Sequence, residues 1–255
     1  MFRVIISGVN GAMGRALAAA VQESGDISIL AGFDKEIGSS PLPFKLYINP
    51  EDCGQGADAL IDFSHFSATP AIMEYCVRTS TPAVIATTAL GDSGLALLRE
   101  AAKSVAVFHS ANMSIGVNVV SRMARLAMPA LEAGFDVEII ERHHGRKADS
   151  PSGTALLLAN AINGACETQK DFVYGRHGRD DRRRATDLGI HAVRGGSLPG
   201  NHTVLFLGPD ESIEISHSVF SKNVFALGAI KAARFVAGQA PGMYDMDDLI
   251  SAGIR

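Results

Sequence analysis

The sequence predicts an α/β protein made of a doubly wound parallel sheet plus a second α+β domain with a mixed sheet. Three observations predict it. From residue 2 to about 110, short apolar runs alternate with longer amphipathic ones. After Asn112 that rhythm stops, and from Gly189 strand-like runs follow one another with only glycine-rich turns between them. Near the end, VFALGAIKAARFVAG reads as a further apolar helix.

Taken in order, the first strands are FRVIIS (2–7), ISILAGF (27–33), ADALIDF (57–63), PAVIATT (82–88) and VAVFHS (105–110). They are apolar at consecutive positions, which suits a sheet covered on both faces. Helical candidates between them span 15–24, 69–78 and 94–103. Residues 114–134 then read as a long helix, FDVEIIER (135–142) as a strand and SGTALLLANAI (152–162) as a helix. GIHAVRGG (189–196), HTVLFLG (202–208) and SIEISHSV (212–219) are strands, and GPDE between the last two signals a hairpin. A return of the 224–238 helix to the first domain would make that domain discontinuous. The expected division is 1–112 with 222–255, and 113–221. The charge-dense RHGRDDRRR (176–184) is read as a solvated loop, with a flap or subunit contact as the alternative.

The chain has 255 residues, 47% hydrophobic and 20% charged, enough for one large or two modest domains. A net charge of -4 leaves no footprint for nucleic acid or an anionic membrane. Cys53, Cys76 and Cys166 are far apart, so neither a disulfide framework nor a zinc site is indicated. The run MFRVIISG is too short for a signal peptide, and no apolar run nears the ~18 residues of a membrane helix. A soluble cytoplasmic protein is expected.

SGVNGAMGRAL follows the first strand and opens a helix, with Gly8, Gly11 and Gly14 in GxxGxxG spacing. Such a turn sets backbone N–H groups and the positive helix end against a pyrophosphate. Alone it is also a common structural device. Asp34, at the end of the second strand, stands where an acid would bond the adenosine ribose. That placement points to a dinucleotide site and favours NADH. Lys35 would offset repulsion of a 2′-phosphate, which leaves NADPH open.

The stretch ERHHGRKADSPSGTAL (141–156) gathers two histidines, two arginines and a lysine just before a helix start. Histidine carries protons near neutral pH, so His143 or His144 suits acid/base work, and Lys147 adds a cation or a proton. Pro151 suits the first helical turn, and Ser152, Gly153 and Thr154 would offer N–H and hydroxyl groups to an anion. The stretch therefore reads as a carboxylate site with proton donors beside it. Each residue also has a plain alternative: surface histidines, a solvated lysine, a helix cap. Arg142 and Arg146 are assigned no chemical role. A metal pair at His143 and His144 lacks a third ligand at matching spacing.

Together these residues resemble the dihydrodipicolinate reductase family. The motifs that carry the likeness are VIISGVNGAMGR, DALIDFS, VIATTAL, SANMSIGVNV, VEIIERHHGRKADSPSGTAL, GIHAVRGG and GNHTVLF, and FALGA and MYDMDDL continue it. The resemblance implies a discontinuous Rossmann-type domain plus a mixed-sheet domain that joins four subunits. It implies reduction by NADH or NADPH of the cyclic imine dicarboxylate 4-hydroxy-tetrahydrodipicolinate to tetrahydrodipicolinate, in diaminopimelate and lysine biosynthesis. It implies that Gly8, Gly11, Ala12, Met13 and Gly14 cradle the cofactor, with Asp34 on its ribose. Ala86, Thr87 and Thr88, with Ser110, Ala111, Asn112 and Met113, would line the nicotinamide end. His143 would be the acid/base residue and Lys147 the proton donor, while His144, Gly153 and Thr154 would hold the substrate carboxylates.

Three positions depart from the family pattern: ATTA (86–89) replaces GTTG, Asn201 replaces a common glutamate, and Lys222 replaces a frequent arginine. A different two-domain dehydrogenase would share the glycine turn but has no reason to carry HHxxK…PSGT. A non-catalytic nucleotide sensor would have no use for the proton carriers.

Overall fold

The structure is a computed structural model that describes residues 1–38 and 42–253. Residues 254 and 255, the last of the range expected for the first domain, lie outside the described residues. The chain divides into two compact units, Met1–Ile115 with Lys222–Arg255, and Gly116–Ser221.

In the first unit the chain runs β1 (Phe2–Ser7), α1 (Ala12–Ser24), β2 (Ile27–Phe33), β3 (Lys45–Tyr47), β4 (Ala59–Asp62), α2 (Thr69–Thr79), β5 (Ala83–Ile85), α3 (Gly91–Ala101) and β6 (Ala106–His109). The helix α4 (Ile115–Leu131) leads into the second unit, which holds β7 (Asp136–His143), α5 (Gly153–Asn163), β8 (Asp171–Val173), β9 (Asp187–Arg194), β10 (Gly200–Leu207) and β11 (Ser212–Val219). Finally α6 (Asn223–Val236), β12 (Gly242–Tyr244) and α7 (Met246–Ser251) complete the first unit.

The seven strands of the first unit pair in the order β12-β6-β5-β4-β1-β2-β3, all parallel. Strand order reverses between β1 and β4, the switch point at which doubly wound sheets bind ligands. Alternate residues of one strand enter two different cores. Val4, Ile6, Ile61 and Val84 pack in one core with residues of α1 and α6, while Ile5, Leu60 and Ile85 pack in another with residues of α2 and α3. This double covering is why these strands are apolar at consecutive positions. Ala226, Ala229, Ala233 and Val236 of α6 belong to the first of these cores.

In the second unit the order is β11-β10-β7-β9-β8. β9 runs parallel to β7 and β8, whereas β10 is antiparallel to β7 and β11, so the sheet is mixed as expected. The GPDE turn is a hairpin closed by Gly208 N donating to Glu211 O at 2.9 Å. Val137, Ile139, Leu188, Ile190, Val204 and Phe206 pack with residues of α4 and α5.

Several expectations need correction. β3, β8 and β12 are three-residue strands, too short to show an alternating pattern. α7 is announced only by its capping box, in which Asp245 and Asp248 bond each other's backbone N–H. α1 begins at Ala12, not Arg15, because packing carries the helix through Gly14 despite that residue's poor propensity. Pro151 precedes the helix: Ser152 is the N-cap of α5, and its Oγ accepts from Ala155 N. The solvated-loop reading of 176–184 holds only for its middle. Glu138 is 7% exposed and needs partners: Arg176 at 2.9 Å and Arg183 at 3.3 Å supply cations, and His191 Nε2 lies 2.7 Å away.

Candidate active site

In the first unit, the glycine turn is shaped by contacts that tolerate no side chain. Gly8 has φ +75°, and a Cβ there would lie 2.8 Å from Ser64 N. A Cβ on Gly14 would collide with the Gly8 carbonyl. Gly11 differs: it is exposed, caps α1 without any side-chain bond, and its Cβ would meet only Gly8 O at 3.2 Å. Gly8 and Gly14 thus hold the turn closed, and Gly11 keeps the outer surface of the Ala12–Met13 helix start bare. That is the shape and polarity a pyrophosphate requires.

Asp34 follows β2, and its Oδ2 accepts from Asn10 N at 2.8 Å. The carboxylate therefore braces the glycine turn from the end of β2. Lys35 is exposed and only loosely paired with Glu36, at 3.9 Å.

A cavity of about 390 Å³ lies beside the turn. Of the residues expected at the nicotinamide end, Ala86, Thr87, Thr88, Ala111, Asn112 and Met113 line it, together with Met13 of the glycine turn. Phe63, Lys222 and Phe225 complete much of the wall. Ser110 does not line the cavity; its hydroxyl donates to Asn112 O at 2.8 Å. Sequence reasoning missed Asp62, which is fully buried. It accepts from Thr87 Oγ1 at 2.6 Å and Ser64 N at 3.0 Å, tying the loops after β4 and β5 together. Its place at the end of a central strand was the available signal.

In the second unit, β7 carries Glu141 and His143 on its inner face, two residues apart and therefore side by side. His143 Nδ1 lies 2.6 Å from Glu141 Oε2. Arg194 of β9 grips both carboxylate oxygens, at 2.6 and 2.7 Å, and Ser152 N donates to Oε1 at 3.0 Å. Burial pushes the Glu141 carboxyl upward, but Arg194, His143 and the Ser152 N–H outweigh it and hold it below the usual glutamate range. Ser152 Oγ also lies 2.8 Å from His202 Nε2. The His202 ring stands nearly perpendicular to that of His143, with centroids 5.1 Å apart. Burial, then the neighbouring His143, pushes His202 down to about 4, so it is neutral at pH 7.

The turn after β7 is pinned by His144 N donating to Leu198 O at 2.8 Å. His144 Nδ1 is buried without a hydrogen-bond partner among the described residues. Lys147 Nζ pairs with Asp149 Oδ1 at 2.8 Å. Gly153 and Thr154 are the first residues of α5. A separate cavity of about 630 Å³, bordered by Ser150, Pro151 and β9 residues 190–192, contains none of His143, His144 or Lys147. Glu141, Arg194 and His202 escaped the sequence reading as site residues. Glu141 could have been found from its i, i+2 spacing to His143. Arg194 could not, because only strand register places it opposite His143.

Two family models cover nearly the whole chain: dihydrodipicolinate reductase, N-terminus, matches residues 2–113, and the C-terminus model matches 116–250. The chain belongs to the dihydrodipicolinate reductase family. The 4-hydroxy-tetrahydrodipicolinate reductase of Caldanaerobacter subterraneus subsp. tengcongensis is 45% identical over 99% of this chain and 100% of that one. The Clostridium tetani protein of the same name is 41% identical over 99% and 98%. Among solved structures, dipicolinate-bound dihydrodipicolinate reductase from Paenisporosarcina sp. TG-14 is similar, with a TM-score of 0.78 at 22% identity over 96% of this chain and 97% of that one. The resemblance drawn from the motifs is thus borne out.

Within this family, the departures have structural consequences. Ala89 adopts φ +60°, a conformation that favours glycine, so the ATTA loop carries backbone strain of about 1 kcal/mol. Asn201 is buried, accepting from Arg142 Nε at 2.9 Å and donating to Ser218 Oγ at 2.8 Å. Lys222 borders the cavity beside the glycine turn and places a single ammonium where a guanidinium would offer a fork.

Proposed function

We propose that the chain is an NAD(P)H-dependent oxidoreductase that reduces 4-hydroxy-tetrahydrodipicolinate to tetrahydrodipicolinate, with loss of water, in diaminopimelate and lysine biosynthesis. Membership of the reductase family, at 45% identity over 99% of the chain, supports the reaction. The observation that carries the assignment of residues is the buried Glu141–His143 pair bonded to the N-cap of α5. It joins a proton carrier to an anion-binding helix end.

In this reading the first unit binds the dinucleotide. The bare helix start at Gly11, Ala12 and Met13 takes the pyrophosphate, Asp34 faces the ribose, and the 390 Å³ cavity takes the nicotinamide. When bound, the reduced nicotinamide supplies hydride to the substrate ring. The second unit binds the dicarboxylate through His144, Gly153 and Thr154, with Ser152 holding the helix start in place. His143 and Lys147 deliver the proton that balances charge as the ring is reduced. Asp149 keeps the Lys147 ammonium on the turn, 2.8 Å away.

We also infer a cytoplasmic homotetramer. All three cysteines are free thiols. On the sheet face turned away from α4 and α5, Val193 and Leu207 are 49% and 38% exposed, a surface suited to copies of the same chain. Light scattering should give a four-chain mass; a monomer would exclude this arrangement.

The deciding assay supplies the condensation product of pyruvate and aspartate semialdehyde and follows NADH and NADPH absorbance separately. Consumption is expected with the wild-type chain. His143→Ala and Lys147→Ala should each lower turnover at least a hundredfold while cofactor affinity is kept. Wild-type turnover in either variant would remove that residue from the mechanism.

A further inference from the structure

A carboxylate only accepts hydrogen bonds. The Glu141 carboxyl is held in its ionised form by the two-pronged grip of Arg194, so the proton in the 2.6 Å contact belongs to His143 Nδ1. The other ring nitrogen, Nε2, is then the one left to exchange a proton. A Cβ on Gly200 would stand 3.0 Å from His143 Nε2, so glycine at the start of β10 keeps a side chain off that edge of the buried ring. Glu141 also accepts the Ser152 N–H at 3.0 Å, which fastens the imidazole to the first turn of α5.

We propose that Glu141 is the positioning residue of the proton-transfer site: it fixes His143 as the Nδ1-protonated tautomer, presents Nε2 past Gly200, and locks the ring to the α5 N-cap. Arg194 secures Glu141 in turn. This rests on the reading that His143 exchanges a proton with the substrate, and it adds a residue that never touches substrate. The consequence is testable through chemistry that a filler residue would lack. In Glu141→Gln, Arg194 Nη2 and the Ser152 N–H both donate at the Oε1 position and neither can accept, so the amide oxygen settles there and only the Arg194 Nη1 bond at the Oε2 position is given up. The amide NH₂ is then turned toward His143 Nδ1, and a donor there forces the ring into the opposite tautomer.

The test is ¹⁵N NMR of the histidine rings in the full chain at alkaline pH, with His143 assigned from its absence in His143→Asn. Wild type should show His143 protonated at Nδ1, and Glu141→Gln should show it protonated at Nε2. In the same variant kcat should fall at least tenfold while KM for NADH stays within twofold. A wild-type ring protonated at Nε2 overturns the proposal, and that measurement needs no variant to fold. A folded Glu141→Gln with unchanged tautomer and kcat overturns it as well. Gly200→Ala supplies an independent arm: kcat should fall at least tenfold with the Nδ1 tautomer retained, and full activity would refute access through that edge. The spectra need no substrate. Turnover of His143→Asn decides the catalytic reading separately.

Discussion

Glu138 lies across Gly189, its register partner in the adjacent parallel strand, so closely that a methyl group on residue 189 would occupy the place of the carboxylate. The absence of a side chain is what lets an acid on β7 reach over β9 to His191, Arg176 and Arg183. One glycine thereby anchors the basic segment 176–184.

Gly189→Ala should therefore destabilise the second unit by about 2–3 kcal/mol, from overpacking and a displaced buried carboxylate. Urea unfolding would measure the loss. Limited trypsinolysis should cut the 176–184 segment faster than in wild type. Unchanged cleavage would mean that Glu138 is not the anchor.

Stability should fall in two steps as the solution is acidified. His202 is pushed down to about 4 from an ordinary 6.5, so the unfolded chain binds a proton in this window and the folded chain does not. Stability is full above pH 6.5 and declines toward pH 4, by roughly 3 kcal/mol at 1.36 kcal/mol per unit. Glu138 and Glu141 are both held below 4.5, and their contribution is lost as pH falls beneath that value. Denaturant titrations between pH 7 and pH 3 would resolve the steps. His202→Gln should reduce the first, leaving the part that comes from His109 and His217, which burial also pushes down, and Glu138→Gln should reduce part of the second.

The three glycines of the turn should separate by experiment. Gly11→Ala keeps allowed backbone angles, φ -70° and ψ 165°, and its methyl projects from an exposed position. Its stability should stay within about 1 kcal/mol of wild type while NADH binding weakens at least tenfold. Gly14→Ala drives a methyl into the Gly8 carbonyl and should lower stability by about 1–3 kcal/mol. Thermal melts and calorimetric titration with NADH would compare the pair. Equal NADH affinity in Gly11→Ala and wild type would move the pyrophosphate elsewhere.

Asp34→Asn keeps an acceptor for Asn10 N but removes the negative charge that the proposed function sets against the ribose. The ratio of kcat/KM for NADPH over NADH should rise roughly tenfold, worth about 1.4 kcal/mol. An unchanged ratio would show that Asp34 braces the turn and does nothing for coenzyme choice.

The sequence alone determined whatever depends on near neighbours in the chain. Consecutive apolar residues in β1, β2 and β4 announced a sheet covered on both sides. The glycine spacing marked the bend before α1, GPDE the hairpin, and Ser152 the start of α5. His143, Lys147 and their companions were legible because they crowd into one short stretch. Tertiary structure decided the partnerships that join distant segments. Arg194 meets Glu141 across 53 residues, and Gly189 meets Glu138, only because β7 and β9 pair in one register. A shift of one residue would turn every side chain of a strand to the other face, so such contacts have no local signature. The same holds for Asp62 and Thr87, 25 residues apart, brought together where two parallel strands end side by side.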